Sequence, residues 1–225
     1  MSRLSKITAI VVSAGTGQRM GIDKTLIILG EKPLLAWSVD ILQKCDIVDE
    51  IIIVLHSNNI ETGNSLSQRF MWEKVVNICV GGELRQDSVR NGLMHIKDSE
   101  WIIIHDGARP FLTEKLIQDG VKAAQQTGAA IPVIQVKDTI KVADNNEMVQ
   151  NTLERKYLRA VQTPQVFRFD IITRAYSSTS RMVTDDASLV EQAGFKVRMY
   201  PGDYNNIKVT TPEDLVLAEM MIRRR

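Results

Sequence analysis

The sequence predicts an α/β layer fold with a mostly parallel central sheet flanked by helices. Short, nearly continuous β-branched runs recur along it, and between them lie longer stretches with helical periodicity. Runs apolar at almost every position are the mark of strands covered on both faces, as parallel strands are. At 225 residues the chain can bury one large core, so a single domain spanning 1–225 is expected.

Residues 7–12, 50–55, 75–80, 101–105 and 129–133 read as strands. Between the first two, Leu34, Leu35, Val39 and Leu42 fall on one helical face, with Pro33 suited to the first turn. Asn58 or Asn59 is a cap for a second helix running towards Phe70. Asp87 or Ser88 opens a third, which carries Val89, Leu93 and Ile96. Thr113 caps a fourth, with Glu114 at its positive end and Leu116, Ile117 and Val121 facing inward.

The alternation then breaks. Residues 137–142 and 148–152 form two candidate strands joined by the turn-forming tripeptide Asp144-Asn145-Asn146. This hairpin is polar on both faces and adds little to a core, so it is expected to protrude as an arm, at about 137–158, and to pack against another chain. Residues 168–176 and 185–194 return to a helical pattern, and 196–200 and 207–209 read as short strands. Pro212-Glu213-Asp214 opens a last helix that ends in Arg223-Arg224-Arg225, charges suited to a helix C-terminus.

Composition narrows the function classes. Hydrophobic content of 44%, charged content of 24% and a formal net charge of +1 suit a soluble globular protein. A nucleic-acid coat or membrane-surface protein would carry a basic excess, so neither partner is expected and any anion site is built locally. Cys45 and Cys79 make no disulfide framework and no C-x-x-C pair. Arg3 and Lys6 precede the apolar run, but that run is shorter than a signal-peptide core and leads into a glycine-rich turn. No run reaches the length of a membrane helix. A cytoplasmic protein is the expectation.

The candidate chemistry begins where the first strand ends. Ser13-Ala14-Gly15-Thr16-Gly17-Gln18-Arg19-Met20-Gly21 is followed by Asp23-Lys24-Thr25. Glycines there let backbone N–H groups approach a phosphate. The spacing is one residue too long for a dinucleotide fingerprint, and no acid follows the second strand, where His56 and Ser57 stand. A P-loop fails as well, since Asp23 occupies the place of the glycine before the lysine. What remains is a glycine-rich turn with two cations, Arg19 and Lys24, suited to neutralising a polyphosphate. An ordinary tight turn with solvated cations also accounts for this segment alone.

Other segments add to it. Gly81-Gly82 ends the third strand and gives a flat ring room against the backbone, and Ser88 is a donor for a base edge. The fourth strand runs into His105-Asp106-Gly107-Ala108-Arg109-Pro110. A carboxylate at the end of a central parallel strand lies in the ligand crevice of such folds, which makes Asp106 a candidate ribose or Mg²⁺ contact, or a turn cap. Thr184-Asp185-Asp186 and residues 206–210 form a later polar cluster. His56, His95 and His105 show no metal-ligand spacing; His56 and His95 read as structural or solvated, and His105 as a packing residue or one that orients Asp106.

Taken together these segments resemble the 2-C-methyl-D-erythritol 4-phosphate cytidylyltransferase family. The match runs through Ser13-Ala14-Gly15 with Lys24, Gly81-Gly82 with Arg85 to Val89, and His105 to Pro110. It continues through Asp138-Thr139-Ile140-Lys141, Gln162-Thr163-Pro164-Gln165, Thr184-Asp185-Asp186-Ala187-Ser188 and Asn206 to Thr210. The resemblance implies a Rossmann-like nucleotidyltransferase fold, Mg²⁺ dependence, and a homodimer whose arm completes the partner's substrate site. It implies that Ala14, Gly82, Glu83 and Ser88 read cytosine, and that Gly15 and Asp106 meet the ribose and metal. Arg19, Lys24 and Lys208 correspond to catalytic cations around the triphosphate. Arg109, Thr163 and Thr184 correspond to sugar-phosphate contacts, with Thr139 and Arg155 arriving from the neighbouring arm. Asp23-Lys24-Thr25 departs from the family's usual Pro-Lys-Gln, and Ser13 stands where it has alanine. The implied reaction is attack of a sugar phosphate on CTP with loss of pyrophosphate. A related ribitol 5-phosphate cytidylyltransferase shares the turn, the His-Asp pair and the arm, while Gln86 and Asp186-Ala187-Ser188-Leu189 look more like the methylerythritol enzyme. A nicotinamide-dependent reductase is the distant alternative, and it lacks its glycine spacing and acid here.

Overall fold

The computed structural model describes residues 5–15, 26–178 and 182–224. From the N-terminal side the elements are β1 (Ile7–Ser13), the short pair β2 (Ile28–Leu29) and β3 (Lys32–Pro33), α1 (Leu34–Lys44), β4 (Glu50–Leu55) and α2 (Ile60–Arg69). Next come β5 (Val75–Val80), α3 (Arg85–Met94), β6 (Trp101–Asp106), α4 (Glu114–Thr127) and β7 (Ala129–Gln135). Beyond the alternating region lie β8 (Lys141–Ala143), β9 (Val149–Thr152), β10 (Arg159–Val161), β11 (Gln165–Arg168), α5 (Phe169–Ser178), α6 (Asp186–Gln192), β12 (Arg198–Pro201) and α7 (Pro212–Ile222).

The central sheet runs β5-β4-β1-β6-β11-β7, with β1, β4, β5 and β6 parallel to one another. Ala130 pairs with both Val166 of β11 and Arg198 of β12, and Val133 with both Val161 of β10 and Pro201 of β12. A strand has two edges, so β10 and β11 share one side of β7 and β12 takes the other. Period-two alternation along the buried strands divides the core. Ala9, Val11, Ile51 and Ile53 face α1 and α4, packing on Leu35, Val39, Ile117 and Val121. Ile10, Val12, Ile52 and Val54 face α3, α5 and α6, packing on Val89, Ile172, Ala175 and Leu189.

Several boundaries differ from the sequence expectation for identifiable reasons. The third helix opens at Arg85, earlier than Asp87 or Ser88, because Asp87 sits in the first turn and accepts the Leu84 N–H at 3.3 Å. Pro33 pairs with Ile28 immediately before α1. Residues 207–209 make no strand; Val209 only donates its N–H to the Ala108 carbonyl at 2.8 Å. The first hairpin strand is confined to Lys141–Ala143, and all the residues of β8 and β9 are exposed. Asp144 holds the turn, its Oδ1 accepting from the N–H groups of Asn146 (2.9 Å) and Met148 (3.0 Å). The sequence reading had no place for β10 and β11. β11 lies in the middle of the sheet, antiparallel to β6 on one side and β7 on the other, and β10 pairs antiparallel with the far end of β7.

Candidate active site

Strand order reverses at β1: the chain moves outward through β4 and β5, then returns to β6 on the other side. The carboxyl ends of β1 and β6 therefore flank the crevice in which open α/β sheets bind ligands. Asp106 is the last residue of β6 and is buried. Arg85, at the start of α3, donates from Nε to Asp106 Oδ1 at 2.9 Å. Lys208 Nζ lies 2.8 Å from Asp106 Oδ2, and Arg109 Nε lies 3.8 Å from the same oxygen. Three cations from three separate segments thus converge on one carboxylate.

A second layer holds the two arginines. Arg85 Nη2 donates to Asp186 Oδ2 at 2.8 Å, and Tyr176 donates its hydroxyl to Asp186 Oδ1 at 2.6 Å. Arg109 Nη1 donates to the Asn206 carbonyl at 2.7 Å, and Asn206 Nδ2 donates to the Thr163 carbonyl at 2.8 Å. Thr163 Oγ1 accepts the Asp106 backbone N–H at 3.1 Å and lies 3.1 Å from His105 Nδ1, while His105 Nε2 is 3.2 Å from the Arg109 carbonyl. A neutral imidazole protonated on Nε2 satisfies all three bonds at once. The Thr163 hydroxyl then donates to Nδ1, and Nε2–H donates to the carbonyl.

The charges follow from these contacts. Burial opposes ionisation of Asp106, but Arg85, Lys208 and Arg109 together hold its carboxyl well below the usual range. Burial would lower Arg85; Asp186 and Asp106 overcome it and hold the guanidinium firmly charged. Burial pushes His105 down to about 4, so its ring is neutral near pH 7. Burial, reinforced by Asp186, raises the Tyr176 hydroxyl and keeps it a donor.

A cavity of about 380 Å³ opens beside Asp106. Arg85, Arg109, Lys208 and Thr163 line it, as do Thr184 and Asp185 at the entrance to α6. Asp185 Oδ1 caps that helix by accepting the Ser188 N–H at 3.2 Å, and Gln165 of β11 bonds Asp185 Oδ2 at 3.0 Å. The lining sets three cations, Arg85, Arg109 and Lys208, among three carboxylates, Asp106, Asp185 and Glu191, so the cations offer an anionic ligand local charge rather than a net positive face.

The family model described as 2-C-methyl-D-erythritol 4-phosphate cytidylyltransferase matches residues 7–224. The chain belongs to this family. It is 46% identical over 220 residues to the 2-C-methyl-D-erythritol 4-phosphate cytidylyltransferase of Dehalococcoides mccartyi strain CBDB1, covering 97% of each chain. The enzyme of the same name from Clostridium tetani is 42% identical over 227 residues, covering 99% of this chain and 92% of that one. Among solved structures, 4-diphosphocytidyl-2C-methyl-D-erythritol synthase from Anaerococcus prevotii superposes with a TM-score of 0.86 at 30% identity, covering 97% of this chain and 99% of that one. The Rossmann-like fold expected for this cytidylyltransferase family is the fold observed.

Of the residues matched to cytidylyltransferase positions, Asp106, Arg109, Thr163, Thr184 and Lys208 line one cavity. Ala14, Gly82 and Ser88 gather at the ends of β1 and β5. Ser88 Oγ accepts the Gly82 N–H at 3.1 Å and donates to the Leu84 carbonyl at 3.2 Å. Packing within the protein accounts for both glycines: a Cβ on Gly81 would meet Ala14 Cβ at 2.3 Å, and one on Gly82 would meet Asp87 Cβ at 2.3 Å. Gly15 and Glu83 are exposed beside this turn. Thr139 and Arg155 are exposed near the hairpin, outside the cavity lining, with Arg155 Nη1 donating to the Lys137 carbonyl at 2.7 Å. Arg19 and Lys24 lie outside the described residues. Sequence reasoning missed Arg85 and Asp186 as site residues. Both stood inside motifs that carry the resemblance, and that was the available signal.

Proposed function

We propose that this protein transfers the cytidylyl group of CTP to 2-C-methyl-D-erythritol 4-phosphate and releases pyrophosphate. The observation that carries this is the convergence of Arg85, Arg109 and Lys208 on Asp106 at the strand ends, in a chain of the cytidylyltransferase family. A phosphate oxygen of the sugar phosphate attacks the α-phosphorus of CTP. A new P–O bond forms, the bond from the α-phosphorus to the bridging oxygen breaks, and that oxygen leaves with the pyrophosphate. The nucleophile is already ionised, so no general base is needed. His105 fits this scheme, since its ring nitrogens are engaged by Thr163 and Arg109.

The residues divide the task. Ala14, Gly82, Glu83 and Ser88 meet cytosine, and Gly15 and Asp106 the ribose. Arg19 and Lys24 neutralise the leaving phosphates. Lys208, whose side chain is 39% exposed, can turn from Asp106 to the reacting phosphate. Arg109, Thr163 and Thr184 hold the sugar phosphate. Mg²⁺ is the proposed cofactor. Among the described residues no group of three or more His, Cys, Asp or Glu could hold a metal. A single carboxylate, Asp106, together with phosphate oxygens of the nucleotide suits this hard cation, which offsets triphosphate charge when bound.

A homodimer is proposed through residues 137–158. A lone two-stranded hairpin is marginal in water, and Val142, Met148 and Val149 are exposed on this one. A second copy covering them would bring Thr139 and Arg155 to the partner's cavity. A reducing cytoplasm suits the unpaired, buried Cys45 and Cys79, and among the described residues no helix is long and apolar enough to cross a membrane.

The test is pyrophosphate release with each of the four nucleoside triphosphates and either methylerythritol 4-phosphate or ribitol 5-phosphate. Turnover restricted to CTP with methylerythritol 4-phosphate is expected. Equal or faster turnover of ribitol 5-phosphate would overturn the substrate assignment.

A further inference from the structure

Asp106 has two oxygens held in different ways. Arg85 takes Oδ1 through Nε, and the same guanidinium is anchored at Nη2 by Asp186. Asp186 in turn has a partner on each oxygen, the Tyr176 hydroxyl on Oδ1 and Arg85 on Oδ2. Its side chain is 1% exposed, so water offers no substitute partner. A guanidinium fixed at two of its nitrogens keeps its plane, and its grip on Asp106 keeps that plane too. Oδ2 meets Lys208, a single charge on a flexible stem, while Arg109 Nε stands farther off at 3.8 Å, beyond hydrogen-bond reach. The Oδ1 contact is rigid, and the Oδ2 contact is exchangeable.

The chain of contacts crosses the molecule. Tyr176 lies on α5, Asp186 opens α6, Arg85 opens α3 and Asp106 ends β6. Packing alone does not require it: an apolar residue in place of a buried ion pair is often neutral or stabilising. It does give one carboxylate oxygen a fixed direction.

We propose that Tyr176 and Asp186 are positioning residues for the cytidylyl transfer, acting through Arg85 to lock Asp106 so that Oδ2 faces the nucleotide. This rests on the reading of Asp106 as a CTP contact. Tyr176→Phe removes one hydroxyl and keeps the ring. It leaves Asp186 Oδ1 unpaired and frees that carboxylate to rotate, taking Arg85 with it.

The experiment measures CTP affinity by titration calorimetry, and KM for each substrate with kcat, in the wild type, Tyr176→Phe and Ile172→Val. Ile172 is a buried α5 residue outside this network and serves as the packing control. Tyr176→Phe is expected to weaken CTP binding and raise KM for CTP by roughly fivefold to tenfold, less than the full worth of a lost bond to a charged group because the loss reaches Asp106 only through Arg85. KM for the sugar phosphate stays within about twofold, and Ile172→Val changes neither constant, as expected for conservative core trimming. Arg85→Lys, which offers a point charge in place of the fork, should show the larger loss of CTP affinity. Unchanged CTP affinity in Tyr176→Phe, or equal shifts in both KM values, overturns the proposal. A wild type that binds CTP without turnover overturns the transfer reading instead, and the affinities still decide this one. A wild type that neither binds nor turns over CTP overturns both.

Discussion

Replacing Thr163 by valine should unfold this protein far more readily than its size suggests. The side chain keeps its shape and loses one hydroxyl, but that hydroxyl accepts from the Asp106 N–H and donates to His105 Nδ1, both at 3.1 Å. Thr163, His105 and Asp106 are all buried, so water cannot replace it. Each unpaired buried group costs about 1–3 kcal/mol, and two cost about 2–6 kcal/mol. That is a large share of the roughly 5–15 kcal/mol that holds a typical domain folded. Thr163→Ser keeps the hydroxyl and removes one buried methyl, at about 1 kcal/mol. Urea unfolding at pH 7 compares the two variants with the wild type through their midpoints at unchanged slope. If valine and serine destabilise equally, within about 0.5 kcal/mol, the three-way bond at the end of β6 is not what holds Asp106.

Three further outcomes are expected. His105 has a folded pKa of about 4 against 6.5 for the free side chain. The unfolded chain therefore takes up this proton first, and stability present above about pH 6.5 is lost as pH falls towards 4. Between pH 7 and 5 the loss attributable to this group is about 2 kcal/mol, read as the difference between wild-type and His105→Gln unfolding profiles. Gly81→Ala places a methyl 2.3 Å from Ala14 Cβ and 2.6 Å from Ser88 Oγ; a loss of about 1–3 kcal/mol in thermal or urea unfolding is expected, with weaker CTP binding. Lys24→Ala should lower kcat on the order of 10²-fold in the pyrophosphate assay while the protein stays folded. Mixing it with Arg155→Ala chains should restore part of the activity in hybrid dimers, and confirmed hybrids without rescue would count against a shared site.

The alternating half of the fold was legible because its signals are local. Residues 50–55 are apolar at nearly every position and are buried as β4. Thr113 precedes an amphipathic stretch, and its hydroxyl caps α4 by accepting the Leu116 N–H at 3.2 Å. Asp144 announced a turn and makes one. β10 and β11 were not legible. Each is at most four residues long, and Pro164 between them demotes any strand reading. The place of β11 between β6 and β7 is set by which edges remain free once the parallel strands have paired.

The same division holds at the site. Sequence alone placed Asp106 at the end of a central strand, and resemblance assigned Arg109, Thr163 and Thr184 to the sugar phosphate and Lys208 to the triphosphate, since chain order and spacing are properties of the sequence. Only tertiary structure brought Arg85 to Asp106, 21 positions away, and to Asp186, 101 positions away. Attraction between charges depends on distance in space and on burial, and neither is written in the order of residues.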